Sequence, residues 1–378
     1  PEDDCGHIAG EDTECNLCVE EEYTTFATHS HPVCGTRCYC SSSSHSSRTW
    51  TAWDGTTKMY NGNYYLTKDI VLSSTMILDY SYVSYLCLNG HTITCENMVF
   101  DIYSYRTLVI TDCVGTGKVI STNGNYVIGN NKSLTIYGGT ILNTRESGWN
   151  SAILACSNTN TYIYGGRMEG QDMAIYGDVN SKIYVRGGTV AGTDGGYAIY
   201  GDGNLTISAG SVTTDGSTSI ALYSGSFTMS GGSVDGSVFL YDGTDSPGTT
   251  SISGGTITGG LDCYYDTITI TGGDIESAVL GGDAEIRAGT FRGYCSLAGA
   301  NTNVYGGNFS DCSYLNIYGN TWICGGSFST VAVGSEDCLY LSGVPKIEEL
   351  QIAKPGTVSA QSPDGSGSFG AVQRLTYQ

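Results

Sequence analysis

Six cysteines and three histidines crowd the start of the chain: Cys5, Cys15, Cys18, Cys34, Cys38 and Cys40, with His7, His29 and His31. The middle four follow Cys-x2-Cys-x15-Cys-x3-Cys. That is nearly the spacing by which two thiolate pairs hold a tetrahedral zinc ion, which makes Cys15, Cys18, Cys34 and Cys38 candidate ligands. The simpler reading is three disulfides holding together a segment too small to bury a core. On either reading residues 1–48 form a small cysteine-rich segment.

A second group of reactive side chains is the carboxylates. Asp178, Asp194, Asp202, Asp215, Asp235, Asp242 and Asp245 sit at glycine-rich corners, where Asp is ordinarily a turn former. Asp178 and Asp202 end the same phrase, Ala-Ile-Tyr-Gly-Asp (Ala174 to Asp178 and Ala198 to Asp202). Stacked on adjacent repeats they could share a calcium ion, although a third ligand is not evident and solvated turn residues are the simpler reading. A polysaccharide lyase needs acidic calcium ligands beside a basic residue, and a hydrolase needs paired carboxylates. The sequence shows neither arrangement, nor a Gly-x-Ser-x-Gly elbow. We therefore expect a chain that is not an enzyme and has no resident cofactor, with zinc or calcium as the alternatives.

Tyrosines supply the third group. Tyr176, Tyr200, Tyr223 and Tyr241 recur at repeat intervals, and Tyr137, Tyr164 and Tyr305 each precede a glycine corner. If their aliphatic neighbours point inward, alternation along a strand points these rings outward. Such a column can stack on sugar faces, be covered by a second copy of the chain, or simply stabilise the sheet. Asn131, Asn204 and Asn308 lie in Asn-x-Ser/Thr sequons, a weak signal in this composition.

What must position these residues is a repeat. Leu134-Thr135-Ile136-Tyr137-Gly138-Gly139-Thr140-Ile141 returns as Thr161-Tyr162-Ile163-Tyr164-Gly165-Gly166-Arg167-Met168, and then eight times more. The second small-residue corner of each copy is Gly139, Gly166, Gly188, Gly210, Gly232, Gly255, Gly273, Gly289, Gly307 and Gly326, with spacings from 27 down to 16 residues. Such a period is one turn of a β-solenoid. Apolar and polar residues alternate inside each copy, as in a strand with one buried face, and glycine supplies the corner.

The fold class expected is therefore all-β: a parallel β-helix over residues 49–354, right-handed because the repeats lack six-residue phrasing. Ile136, Ile163, Val185, Ile207, Met229, Ile252, Ile270, Ile286, Val304 and Ile323 should form one inward column. Earlier rungs are expected around Tyr64-Tyr65-Leu66, Leu86-Cys87-Leu88 and Leu108-Val109-Ile110, and residues 355–378 read as a cap or linker. Cys95 with Cys113, and Cys295 with Cys312, are spaced by about one rung. Each pair is either a cross-rung disulfide or a ladder of buried thiols.

Composition narrows the setting. The chain has 378 residues with 54 Gly, 28 Tyr and 15 Cys, and a formal charge of -21 with only 16 Lys plus Arg. Nucleic acid and anionic lipid need basic patches and are poor partners for it. The cysteine content suggests an oxidising, extracellular compartment. No run of 18 or more apolar residues marks a membrane span, and the acidic opening at Pro1 reads as a mature or trimmed chain.

Two segments carry a resemblance. Asn63-Tyr64-Tyr65-Leu66-Thr67-Lys68-Asp69-Ile70-Val71-Leu72-Ser73-Ser74-Thr75 is followed by Leu86-Cys87-Leu88-Asn89-Gly90-His91-Thr92-Ile93-Thr94, after a short element at His31-Pro32-Val33-Cys34-Gly35. Together they resemble the large cell-surface β-helix repeat proteins of anaerobic, Clostridia-type bacteria. The resemblance covers roughly residues 29 to 95, and more weakly Leu339 to Ala360. It implies a secreted or wall-associated adhesin or structural component without an established catalytic motif. We expect an extracellular rod or self-assembling fibre subunit, with self-association as the main partnership. Glycan binding through the tyrosines is the second reading, and a polysaccharide lyase or hydrolase the third.

Overall fold

The computed structural model describes residues 50–78, 83–146, 148–241, 248–264, 267–334, 336–353, 357–360 and 372–377. The cysteine-rich segment, with Cys15, Cys18, Cys34 and Cys38, lies outside the described residues, as do Asp242 and Asp245. Throughout those described, the regular elements are β-strands paired in parallel. No helix among them is long and apolar enough to cross a membrane. The chain divides into two compact units, residues 1–198 and 199–378, and each is a parallel β-solenoid.

In the first unit the chain visits three ladders in turn. One joins Gly62–Tyr65, Val83–Cys87, Thr107–Thr111, Ser133–Ile136 and Asn160–Ile163. A second joins Ile70–Leu72, Thr92–Cys95, Lys118–Ser121, Thr140–Asn143 and Arg167–Gly170. The third joins Met76–Leu78, Phe100–Ile102, Tyr126–Asn130, Ser151–Ala155 and Met173–Gly177. Parallel strands bury their inner faces around one apolar core, which is why most of these short strands carry Ile, Leu or Val at alternate buried positions.

Register fixes which side chains stack. Leu86, Ile110, Ile136, Ile163 and Val185 are successive ladder partners and are fully buried. The second unit repeats the device with Ile207, Met229, Ile252, Ile270, Ile286, Val304, Ile323 and Leu341. All ten residues of the expected column are thus inward, three in one unit and seven in the other. Beside the second column Phe291, Phe309 and Phe328 stack at 4.3 and 5.0 Å between centroids, within 1° and 13° of parallel. The strands Thr357–Ala360 and Val372–Tyr377, inside the stretch expected to be a cap or linker, extend these ladders by pairing with Cys338–Leu341 and Lys346–Ile352.

The corners explain the glycine phrase. All ten corner glycines take positive φ, from 70° to 120°. At Gly166, with φ of 77°, a Cβ would also lie 2.4 Å from the Gly139 carbonyl oxygen of the rung before. Close stacking and a left-handed corner therefore both require glycine there. Other corners are held by side chains. Buried Asp112 accepts the Gly90 and Gly117 N–H groups at 2.8 and 2.6 Å. Asn143 donates to Ser151 O at 3.0 Å and Gly124 O at 3.1 Å.

The residues that carry the family resemblance form a clasp between rungs. Asn89 and Gly90 turn the chain with φ of 52° and 79°. The Asn89 amide donates to Leu66 O at 3.0 Å, and Thr92 N–H donates to Asp69 at 2.9 Å. That backbone donor, with His91 beside it, holds the Asp69 carboxyl below the usual carboxylate range.

Two substitutions test this arrangement by urea unfolding. Ile270→Ala removes a fully buried column residue and is expected to cost about 2–5 kcal/mol. Gly166→Ala adds a Cβ against a fixed backbone oxygen at a left-handed corner and is expected to cost at least about 1–3 kcal/mol. A midpoint unchanged in either variant would contradict the stacking described.

Candidate functional site

The alternation that sends Leu222, Leu240, Cys263 and Leu280 inward sends their neighbours out. In the second unit Tyr200, Ala221, Phe239, Asp262 and Val279 are successive ladder partners on the outer face. One step beyond each inward residue come Tyr223, Tyr241 and Tyr264. Their N–H groups continue the ladder to Gly201 O, Leu222 O and Leu240 O at 2.8–3.0 Å. Two adjacent columns thereby gather five aromatic rings on one surface.

The rings touch as a network. Tyr200 meets Tyr223 at 5.4 Å and 60°, and Tyr223 meets Phe239 and Tyr241 at 6.4 and 6.5 Å, both edge to face. Phe239 and Tyr241 are parallel within 9° at 6.2 Å, and both reach Tyr264, at 6.2 and 6.4 Å. Edge-to-face pairs of this kind satisfy the ring quadrupoles. They do not cover the rings, for Tyr241 and Tyr264 remain 47% and 43% exposed. The patch stops at Gly281, where a Cβ would lie 2.5 Å from Tyr264 Cδ1. Glycine there leaves the space that the last ring fills.

Asp262 sits within this surface, between Phe239 and Val279 in the column. Burial pushes its carboxyl above the usual range. A half-buried acid thus adds a polar group to a patch otherwise made of ring faces.

Elsewhere the tyrosines named from sequence are differently placed. Tyr137 and Tyr164 do stack, at 4.8 Å and 10°. However, Tyr137 is only 5% exposed and packs in a cluster with Trp50, Tyr85, Cys87 and Val109. The expectation of an outward, accessible Tyr137 is corrected: at this level of the first unit the outer side of the strand is itself buried. Its neighbours Tyr162 and Tyr184 also stack at 4.8 Å, and the Arg186 guanidinium lies 5.5–5.7 Å from the rings of Tyr162, Tyr164 and Tyr184. Arg186 donates to the Tyr164 hydroxyl at 2.8 Å. These rings stabilise the sheet by stacking and cation–π attraction. Tyr176 meets Trp149 edge to face at 6.1 Å. Tyr305 is exposed, lies on a different ladder from the five-ring patch, and carries Arg287 5.0 Å over its ring.

Phe239 and Tyr264 are functional candidates that sequence reasoning missed. The signal was present: Phe239 lies two residues before Tyr241, and Tyr264 follows the inward Cys263 as Tyr241 follows Leu240.

The candidate metal residues among those described, Asp178 and Asp202, make the bonds of corner residues. Asp178 accepts the Ser157 hydroxyl at 2.7 Å and the Val179 N–H at 2.8 Å, the bonding of a turn carboxylate. Asp202 belongs to the other unit, where its backbone carbonyl accepts the Ser224 hydroxyl at 3.1 Å. Among the described residues no three His, Cys, Asp or Glu side chains gather as a metal site. Near Asp178 the Cys156 thiol is pushed up to about 11, by burial first and then by the carboxylates of Asp178 and Asp101. It therefore stays protonated at neutral pH.

The pairing of Cys95 with Cys113 is also corrected. Cys95 is in register with Ser121, whereas Cys113 meets Cys87 at 3.6 Å between sulfurs. Rungs in this part of the first unit are longer than 18 residues, so an 18-residue step lands on a different ladder. Cys295 and Cys312 do meet, at 3.1 Å.

No protein-family model matches the chain, and comparison with curated proteins and with solved structures gives no significant match.

The raised Asp262 pKa fixes the sign of a pH effect. Between the unfolded and the higher folded value the folded state binds more protons, so stability falls as pH rises through that window. Asp262→Asn is expected to raise the thermal midpoint at pH 7 and to lose that advantage below the ordinary carboxylate pKa. Calorimetry across pH 3–7 reads both; a variant less stable at pH 7 would overturn the assignment.

Proposed function

We propose that this chain is a non-enzymatic structural or adhesive repeat protein of the extracellular surface, and that the aromatic face of its second unit is its contact surface. The observation that carries the reading is the five-ring patch of Tyr200, Tyr223, Phe239, Tyr241 and Tyr264, set on consecutive rungs with its outer rings exposed. Contiguous exposed aromatic surface on a solenoid is costly to leave in water and is characteristic of an interaction site. A rigid sheet also presents its rings with little entropy to lose on binding.

The resemblance to cell-surface β-helix proteins supports the extracellular setting, as does the low count of basic residues. Self-association into a rod or fibre is the leading use of the face, because a flat ladder surface is readily matched by another copy of itself. The half-buried Asp262 and the tyrosine hydroxyls favour a second use, stacking and hydrogen bonding to neutral glycans. Both readings place the contact on the same rings.

Replacing Tyr241 and Tyr264 together by Ser tests the proposal. Assembly measured by light scattering and electron microscopy, or retention on immobilised glycans, is expected to fall by tenfold or more, on the order of 1.4 kcal/mol. The thermal midpoint should fall by only a few degrees, because each ring keeps nearly half its surface in water. A double variant that assembles and binds like its parent would remove the aromatic face from the account.

A further inference from the structure

The sulfur atoms of Cys295 and Cys312 are 3.1 Å apart, and the two residues are only 1% and 3% exposed. In-register stacking does not account for this pair. Cys295 stands in the strand Tyr294–Leu297, and its ladder partner on the next rung is Leu315, three residues beyond Cys312. Cys312 occupies the turn between Asn308–Phe309 and Tyr314–Ile317. There its N–H donates to Phe309 O at 3.2 Å, while the Ser313 N–H reaches back to Gly293 O at 2.8 Å.

Two cysteines directly opposite in a parallel ladder hold their Cβ atoms about 4.8 Å apart, a little beyond what a disulfide prefers. The turn avoids that spacing by swinging the Cys312 side chain onto Cys295 from the corner. The objection that rung spacing raises against a cross-rung disulfide does not apply here.

We propose that Cys295 and Cys312 form a disulfide in the mature protein, stapling the corner after Phe309 to the rung before it. The oxidant is a low-molecular-weight disulfide acting by exchange. One protein thiolate attacks it, giving a mixed disulfide and releasing one small thiol. The second protein thiolate then attacks the protein-bound sulfur, forming the Cys295–Cys312 bond and releasing the other small thiol. The small disulfide gains two electrons, the protein pair loses two, and the two thiol protons leave with the released thiols.

Contact with Cys295, followed by burial, holds the Cys312 thiol well above its ordinary pKa. Thiolate is therefore scarce once the corner has closed, so the bond forms during folding and is then shielded from reductants. This staple is independent of the aromatic contact face.

The test is peptide mapping of the full-length chain refolded with reduced and oxidised glutathione, alkylated, and digested without reduction. The expected result is a linked peptide pair carrying Cys295 and Cys312 that disappears when dithiothreitol precedes digestion. The variant with both Cys295→Ser and Cys312→Ser should melt roughly 5 °C below its parent, and the gap should close when both are reduced. Complete alkylation of both residues after denaturation without reductant would overturn the proposal. A melting gap that persists unchanged after parent and variant are both unfolded, reduced and refolded in reductant would do the same, because the pair would then be contributing packing alone. The mapping uses the parent chain and stands even if the variant fails to fold.

Discussion

Everything in this molecule depends on the parallel backbone ladder, in which each strand's N–H groups bond to the carbonyls of the rung before it. Once the register of one rung is set, equivalent residues of the next lie one strand spacing away, and a single choice of residue becomes a column. Inside, columns must be apolar and of matching volume: Ile270 and Ile286, or Phe291 and Phe309. At corners the same closeness admits only backbone, as at Gly166 against Gly139. Outside, the ladder is indifferent to residue type, and there the chain is free to carry function.

The outer columns show two solutions to one problem. Both units place aromatic rings in line, at a spacing that favours contact between them. In the first, Tyr137 is buried and Arg186 lies against three further rings, spending the aromatic surface on holding the sheet. In the second, the rings of Tyr223, Tyr241 and Tyr264 pack edge to face and keep exposed flanks, with no cation over them among the described contacts. The same ladder geometry thus produces a structural aromatic stack in one place and an available aromatic surface in the other. A cationic neighbour or a covering residue makes the difference.

Much of this was legible in sequence because the ladder writes itself as a period. All ten corners located by the glycine phrase are at positive φ, and the residue just before Tyr137, Tyr164, Tyr305 or their equivalents located the inward column. What the sequence hides is anything that depends on rung length or on cover. Cys95 and Cys113 are one short rung apart in number but lie on rungs of a longer stretch, so Cys113 finds Cys87 instead. Tyr137 alternates outward as its neighbours require, yet its outer face is covered, which no local pattern records. Cys312 reaches Cys295 through a turn off the ladder, where period-based reasoning has nothing to say about distance.

Native-state hydrogen exchange, resolved to single amides, tests the central claim most directly, because the ladder bonds are what it reads. If the rungs stack in the register described, the strand amides at Ile270, Ile286, Val304 and Ile323 should share slow exchange and open together, while amides facing solvent at the corners exchange orders of magnitude faster. Strand amides that exchange as fast as the corners, or slow exchange confined to isolated rungs, would contradict the account at its foundation.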